Sequence, residues 1–355
     1  MMLASVIVVD PEITHAAPTQ AALQSMGCTV YSMRDIHEAS KWCPRLQPDL
    51  VLLATSALTE DARQIIQGLK AAPRTRLTPI VACGTEAQLR SAAPGQALPL
   101  DETLSEPAWN PAGLERIQAI LALKRFVDSQ TESALISAAI SLEDHFLGGR
   151  AGHCQRVSYY AVRLGRRIGM TGSQLEALQI GAVLHDIGKL SVPTAILDKP
   201  GPLNAAEFAT IRRHPIAGEE ICSALKSLRR VLPIIRHHHE RKDGSGYPDG
   251  LKGEEIPLAS RVLQVADIYD ALSSERPYRK ALSRVEALRI MRQEAEQGWR
   301  DENLVDTFET LNLATEPREE KSRITSGSQV KSEEQPGFLF GSCPEFVLYP
   351  SGWSS

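Results

Sequence analysis

The chain has no Cys-x-x-Cys pair. Its six cysteines stand singly at 28, 43, 83, 154, 222 and 343, which argues against a thiolate zinc ribbon or a disulfide scaffold and fits a reducing compartment. No apolar run approaches the ~18 residues needed to span a bilayer. The opening MMLASVIVVD has no basic n-region and meets Asp10 early, so a signal peptide is not expected and the expected location is cytoplasmic. Positive charge is not in excess either: 39 Lys and Arg face 43 Asp and Glu, a net charge of -4. No global field would therefore hold duplex DNA, and any nucleotide must be bound by local chemistry. There is no internal repeat. What is present is ordinary globular composition, 43% hydrophobic and 23% charged, over 355 residues, enough for two or three domains.

The first 108 residues alternate short β-branched runs with segments of helical period. SVIVV (5–9), CTVYSM (28–33), DLVLLA (49–54), PIVAC (79–83) and QALPL (96–100) read as strands, and near-continuous apolar strands imply a sheet covered on both faces. The expected fold is an α/β doubly wound, flavodoxin-like domain. Its order and spacing resemble a response-regulator receiver domain from Val6 to about Pro107. The strand that ends in the phosphorylated aspartate of that family ends here in Ala54, so no phosphoacceptor is expected. Gly84 stands at the switch Thr/Ser position and Glu106, before Pro107, at the lysine position; of the acidic cluster only Asp10 is left. A lone carboxylate makes a poor magnesium site, and the domain reads as degenerate, kept for packing or partner binding.

From Pro111, Leu114, Ile117 and Leu121, then Ile120, Leu123 and Val127, recur at three- and four-residue steps, which predicts a linking helix over 109–130. Its stripe suits packing on the first domain or a seam between two subunits. Beyond 313 the chain becomes rich in Glu, Lys, Ser, Pro and Gly, too polar to bury a core, and residues 313–355 are expected to be disordered.

The chemistry lies between 153 and 280. His153 opens a helical stretch; AVLHDIGK brings His185 and Asp186 side by side; His214 follows in RRHPIAGEE, then HHHE at 237–240, then Asp267 in VLQVADIYDAL. Adjacent His and Asp cannot face one way along a helix, but at a helix end they can converge on neighbouring metals. Imidazole and carboxylate without thiolate select Fe, Mn, Zn or Co, and two such ions are a common device for phosphodiester hydrolysis. Taken singly each residue has a plain explanation: His15, His37 and His145 read as surface or core, and His237 as a flank of the His238–His239 pair. The ordered set H…HD…H…HH…D, followed by the glycine-rich DGSGYPDGLKGEEIP at 243–257, is hard to assemble by chance.

HDIGK, KPGPL, HPIAGEE, HHERKDGSGYPDGLKGEEIP, ADIYDALSSERPYRKA and EQGWRDENLVDTFETL together resemble the HD-GYP family of cyclic di-GMP phosphodiesterases, over about residues 151–312. The resemblance implies an all-α HD-type bundle over 131–312 and cyclic di-GMP as substrate. By position it implies His153, His185, Asp186, His214, His238, His239 and Asp267 as metal ligands, with Asp186 bridging two divalent ions, Fe or Mn ahead of Zn, Co or Ni. Lys189 matches a lysine at the scissile phosphate, Arg276 and Arg279 a phosphate-binding pair whose second member is usually lysine, and Gly244, Gly246, Tyr247 and Pro248 the signature loop, of which Gly246, Tyr247 and Pro248 are implied to bind substrate along with Lys189 and the two arginines. That loop implies diguanylate cyclase (GGDEF) partners. Some relatives carry a third metal on a glutamate four residues before the first histidine; Gly149 stands there, which implies two metals and pGpG, rather than GMP, as the main product. Two alternatives remain open in the sequence: another HD-superfamily nucleotide phosphohydrolase, which has no need of the GYP loop, and a cyclic di-GMP-binding scaffold with weak turnover.

Overall fold

The computed structural model describes residues 4–85, 87–88, 91, 98–105, 107–146, 152–275 and 280–313. They form two compact units divided after Ala134, with residues 223–227 grouped in the first.

The first unit runs β1 (Ser5–Val9), α1 (Ile13–Ser25), β2 (Thr29–Met33), α2 (Ile36–Leu46), β3 (Leu50–Ala54), α3 (Ala62–Ala71), β4 (Ile80–Cys83), β5 (Glu102–Leu104) and the start of α4 (Pro111–Phe146). The strands lie parallel in the order β2-β1-β3-β4-β5. Strand alternation sorts the core into two faces. Val6, Val8, Leu50, Leu52 and Val81 pack with Leu23 of α1 and with Ile117 and Leu121 of α4. Ile7, Val9, Val51, Leu53 and Ile80 pack with Ile36, Ala39 and Cys43 of α2 and Ile66 and Leu69 of α3. Each such side chain, fully buried, contributes about 1.5–3 kcal/mol.

Two details differ from expectation. The fifth strand forms at Glu102–Leu104, and of the expected segment the described residues 98–100 lie outside any strand. Pro99 offers no N–H to a ladder, and Leu98 and Leu100 instead pack as partly buried side chains on one sheet face. The linking helix also continues to Phe146. Its Ile117 and Leu121 are buried against the sheet, whereas Leu123, Phe126 and Val127 are exposed.

The second unit is helical, with no strand among its described residues. It contains α5 (His153–Arg167), α6 (Ser173–Leu184), α7 (Thr194–Leu197), α8 (Ala205–Ile211), α9 (His214–Cys222), α10 (Leu232–His237), α11 (Leu258–Ser273), α12 (Arg284–Glu296) and α13 (Glu302–Glu309). Apolar residues occur all round α11, as expected of a central helix, and Val262, Leu263, Val265, Ala266 and Ile268 are all buried. Tyr160 of α5, Tyr269 of α11 and Phe308 of α13 meet edge to face or tilted, with ring centres 4.9–6.1 Å apart. Asn204 with Glu207, and Ser283 with Glu286, close reciprocal capping boxes that start α8 and α12. Among the described residues no helix is long and apolar enough to cross a membrane.

Candidate metal centre

Helix α6 ends at Leu184, and the chain turns at Asp186 into a tight 3₁₀ segment over Ile187–Ser191. That change of direction lets neighbouring His185 and Asp186 face one site. Gly188 makes it sterically feasible: a Cβ there would lie 1.9 Å from the His214 carbonyl oxygen and 2.5 Å from the Gly218 nitrogen. The turn thus rests directly on the backbone of α9.

Three imidazoles are oriented in the same way. The Nδ1 atoms of His185, His214 and His238 lie 2.9, 2.8 and 2.6 Å from the carbonyl oxygens of Ala182, Ile211 and Ile235, each three residues earlier. A carbonyl only accepts, so Nδ1 donates its proton and the Nε2 lone pair is left to face the site. Around Asp186 two groups of ligand-type atoms form, each with its atoms within 4.8 Å of one another: Asp186 with His214, His238 and His239, and Asp186 with His153 and His185. Asp186 Oδ1 lies 3.2 Å from His214 Nε2 and 3.7 Å from His238 Nε2, and Oδ2 lies 3.3 Å from His185 Nε2. Asp267 belongs to neither group but reaches the second through His153, with Oδ1 3.6 Å from Nε2.

Electrostatics favour cation binding. Burial pushes the Asp186 carboxyl up, but the Lys189 ammonium beside it leads the opposing interactions, and the group is held well below the usual carboxylate range. Lys189 is itself buried and donates to Asp186 Oδ2 at 2.8 Å. Burial pushes the His238 and His239 imidazoles down, so they stay neutral and able to donate a lone pair. Asp186 Oδ1 and His239 Nε2 are buried with no hydrogen-bond donor or acceptor aligned on them. Two orphaned, ligand-type atoms facing a thiolate-free donor set fit a divalent cation. Buried Cys154 stands apart, its Sγ directed at the Val183 carbonyl at 3.3 Å.

Several supporting residues escaped the sequence reading. Asp270, fully buried, accepts from His153 Nδ1 at 2.6 Å and from Arg156 Nε at 2.6 Å. It fixes the ring so that Nε2 points inward, the usual arrangement of a carboxylate behind a ligand histidine. Burial alone would raise its carboxyl; His153 and Arg156 bring it down to about 2. A second acid one turn beyond Asp267, inside the apolar run VADIYDAL, was the available signal. Glu240 is the other. Its buried carboxylate accepts from the backbone N–H of Asp249, Gly250 and Leu251 at 2.7–3.1 Å, while its carbonyl accepts from Gln264 Nε2 at 2.8 Å. The glycine-rich loop is therefore folded around Glu240. At Gly246 a Cβ would lie 2.2 Å from the Arg241 nitrogen, so only glycine lets the loop cross there. Tyr247 then stacks on His239, ring centres 4.8 Å apart at 27°.

His237 faces away from the cluster, its Nε2 3.0 Å from Asp249 Oδ2, and His37 pairs on the surface with Asp61 at 3.0 Å. Arg276, Arg279, Gly149, Glu106 and the segment from 314 onward lie outside the described residues, as do the side chains of His15 and His145. In the first unit, Ala54 closes β3, and the side chain of Thr55 fills the space in front of Gly84, where a Cβ would lie 2.4 Å from Cγ2.

Residues 134–304 match the family model described as HD domain. The chain is 29% identical over 307 residues to the cyclic di-GMP phosphodiesterase response regulator RpfG of Xanthomonas campestris pv. campestris, covering 78% of this chain and 80% of that protein. It is 40% identical to the 3'3'-cGAMP-specific phosphodiesterase 3 of Vibrio cholerae, over 46% of this chain and 35% of that one. It is 42% identical to a cyclic di-GMP phosphodiesterase of Thermotoga maritima, over 39% and 38%. The matched segment thus spans little more than a third of the length of the Vibrio and Thermotoga proteins, and most of the Xanthomonas one.

Proposed function

From the match of residues 134–304 to the HD domain we propose that the chain is a metal-dependent phosphodiesterase that hydrolyses cyclic di-GMP to pGpG. Asp186 carries this reading: a single buried carboxylate shared by two groups of ligand-type atoms. When bound, two divalent ions, iron or manganese, supply Lewis acidity and a water acidic enough to attack phosphorus at neutral pH. Asp186 would be shared between them, with His153, His185 and Asp267 holding one and His214, His238 and His239 the other. The carbonyl-bound Nδ1 protons keep each Nε2 available, and Asp270 does the same for His153. Lys189, already aimed at Asp186, offsets charge that develops on the phosphate. Arg276 and Arg279 bind phosphate. Gly149 leaves no carboxylate for a third ion, so the linear product pGpG is released rather than cut to GMP.

Gly246, Tyr247 and Pro248 serve first as a brace, because Glu240 gathers the loop and Tyr247 packs on His239; contact with GGDEF proteins and a homodimer through α4 complete the reading. The deciding experiment is metal analysis of anaerobically purified protein with chromatography of the products from cyclic di-GMP. Two ions per chain and accumulating pGpG are expected. No turnover with metal bound would leave a binding scaffold in its place, and three ions with rapid formation of GMP would overturn the two-metal assignment.

A further inference from the structure

Arg212 follows the last residue of α8, two positions before His214, and is exposed. Its guanidinium carbon lies 4.7 Å from the centre of the Tyr247 ring and 6.0 Å from that of Phe208, one turn back on α8. The same tyrosine ring stacks on His239, so a chain of contacts runs from an exposed cation to a member of the metal cluster. This contact sets the position of a side chain that is otherwise free to sample many rotamers. Among the described residues no carboxylate pairs with Arg212. A guanidinium that rests on a ring keeps its edge N–H donors for another group, and that edge matches the oxygens of a phosphate. Tyr247, in turn, is engaged by two protein groups and acts as a bracket rather than as a stacking platform for a base.

A cyclic dinucleotide carries two phosphates, and a metal centre acts on one of them at a time. Resting on the phosphodiesterase reading above, we infer that Arg212 is a substrate-binding residue that holds the phosphate not being cleaved. It is distinct from the Arg276 and Arg279 pair and from Lys189, and the RRH sequence alone gives no means of telling it from its neighbour Arg213, which has no ring contact among the described residues.

The test compares full-length Arg212→Ala, Arg212→Lys and Arg213→Ala for kcat and KM on cyclic di-GMP at low and high salt, with metal content by elemental analysis. Loss of one charge-assisted contact should raise KM roughly tenfold or more in Arg212→Ala, with kcat and bound metal within about twofold of wild type. Lysine should recover part of the loss, Arg213→Ala should match wild type, and high salt should narrow the gap between Arg212→Ala and wild type. An unchanged KM overturns the inference. So does a KM rise of equal size at both salt concentrations, which marks a contact to the base, or a fall in metal content, which makes Arg212 a prop for Tyr247 only. Absence of wild-type hydrolysis sinks the phosphodiesterase reading instead; the same comparison of variants, made on the Kd for cyclic di-GMP, then decides the role of Arg212.

Discussion

The sheet unit and the helical unit bury comparable apolar cores but treat ionisable groups in opposite ways. At the strand ends of the sheet unit Asp10 stands with Ala54, Gly84 and a Cys83 thiol that burial and Asp10 push up to about 12. The helical unit encloses His153, His185, Asp186, Lys189, His214, His238, Glu240 and Asp270, each less than a tenth exposed. Enclosing charge costs several kcal/mol per group unless partners are in place. A fold that keeps so many enclosed has its chemistry to explain them. The sheet unit shows the converse, since it packs as well with alanine and glycine at the strand ends where the resemblance to receiver domains places reactive side chains.

Removing the shared carboxylate breaks the contrast most severely. Asp186→Ala should cut turnover at least ~10³-fold, because it deletes the group expected to contact both ions, and elemental analysis should show metal lost with it. Near wild-type hydrolysis would remove the basis for the metal assignment. One shell out, Asp270→Asn should lower metal affinity or activity by roughly 10–100-fold, read by titration with a competing chelator.

The same variant probes acid stability in chelator-treated protein. Asp270 has a depressed folded pKa of about 2, so its stabilisation is present above its unfolded value near 4 and is lost as pH falls towards 2. Wild type should therefore lose on the order of 2 kcal/mol more than Asp270→Asn between those limits, measured by urea midpoints; parallel curves would mean that the carboxylate is not held as described. Of similar size is the effect of Glu240→Gln, which sets an amide N–H₂ against backbone donors. Roughly 1–3 kcal/mol of stability should be lost, with cleavage by protease appearing first in 243–257. The smallest effect belongs to the sheet unit. Acetyl phosphate should leave residues 1–108 unmodified and activity unchanged, and a phosphorylated peptide found there by mass spectrometry would mean that a residue other than Ala54 accepts phosphate.

Legibility followed chemistry more than shape. Strands β1, β3 and β4 stood out because both faces of each are covered, giving apolar runs such as LVLL. Strand β5 did not, since Glu102–Leu104 is short and alternates in burial, while the apolar run just before it is used for packing. In the site, histidines and the His185–Asp186 pair were visible as rare residue types in order. Asp270 had only its place inside the apolar run VADIYDAL to mark it, and Glu240, Arg156 and Arg212 had nothing local, because acids and arginines are common on surfaces and the sequence does not say which of them meet the site.

The amino-acid sequence by itself determined the two kinds of unit, the absence of an acceptor at Ala54 and the residue types available to a metal, since periodicity and side-chain chemistry are local properties. Only the tertiary structure decided that Asp186 is shared between two groups of imidazoles, that Glu240 gathers the glycine-rich loop and that α4 spends Ile117 and Leu121 on the sheet. Those facts depend on distances between residues far apart in the chain, and such distances are set by how helices and strands pack, not by any segment alone.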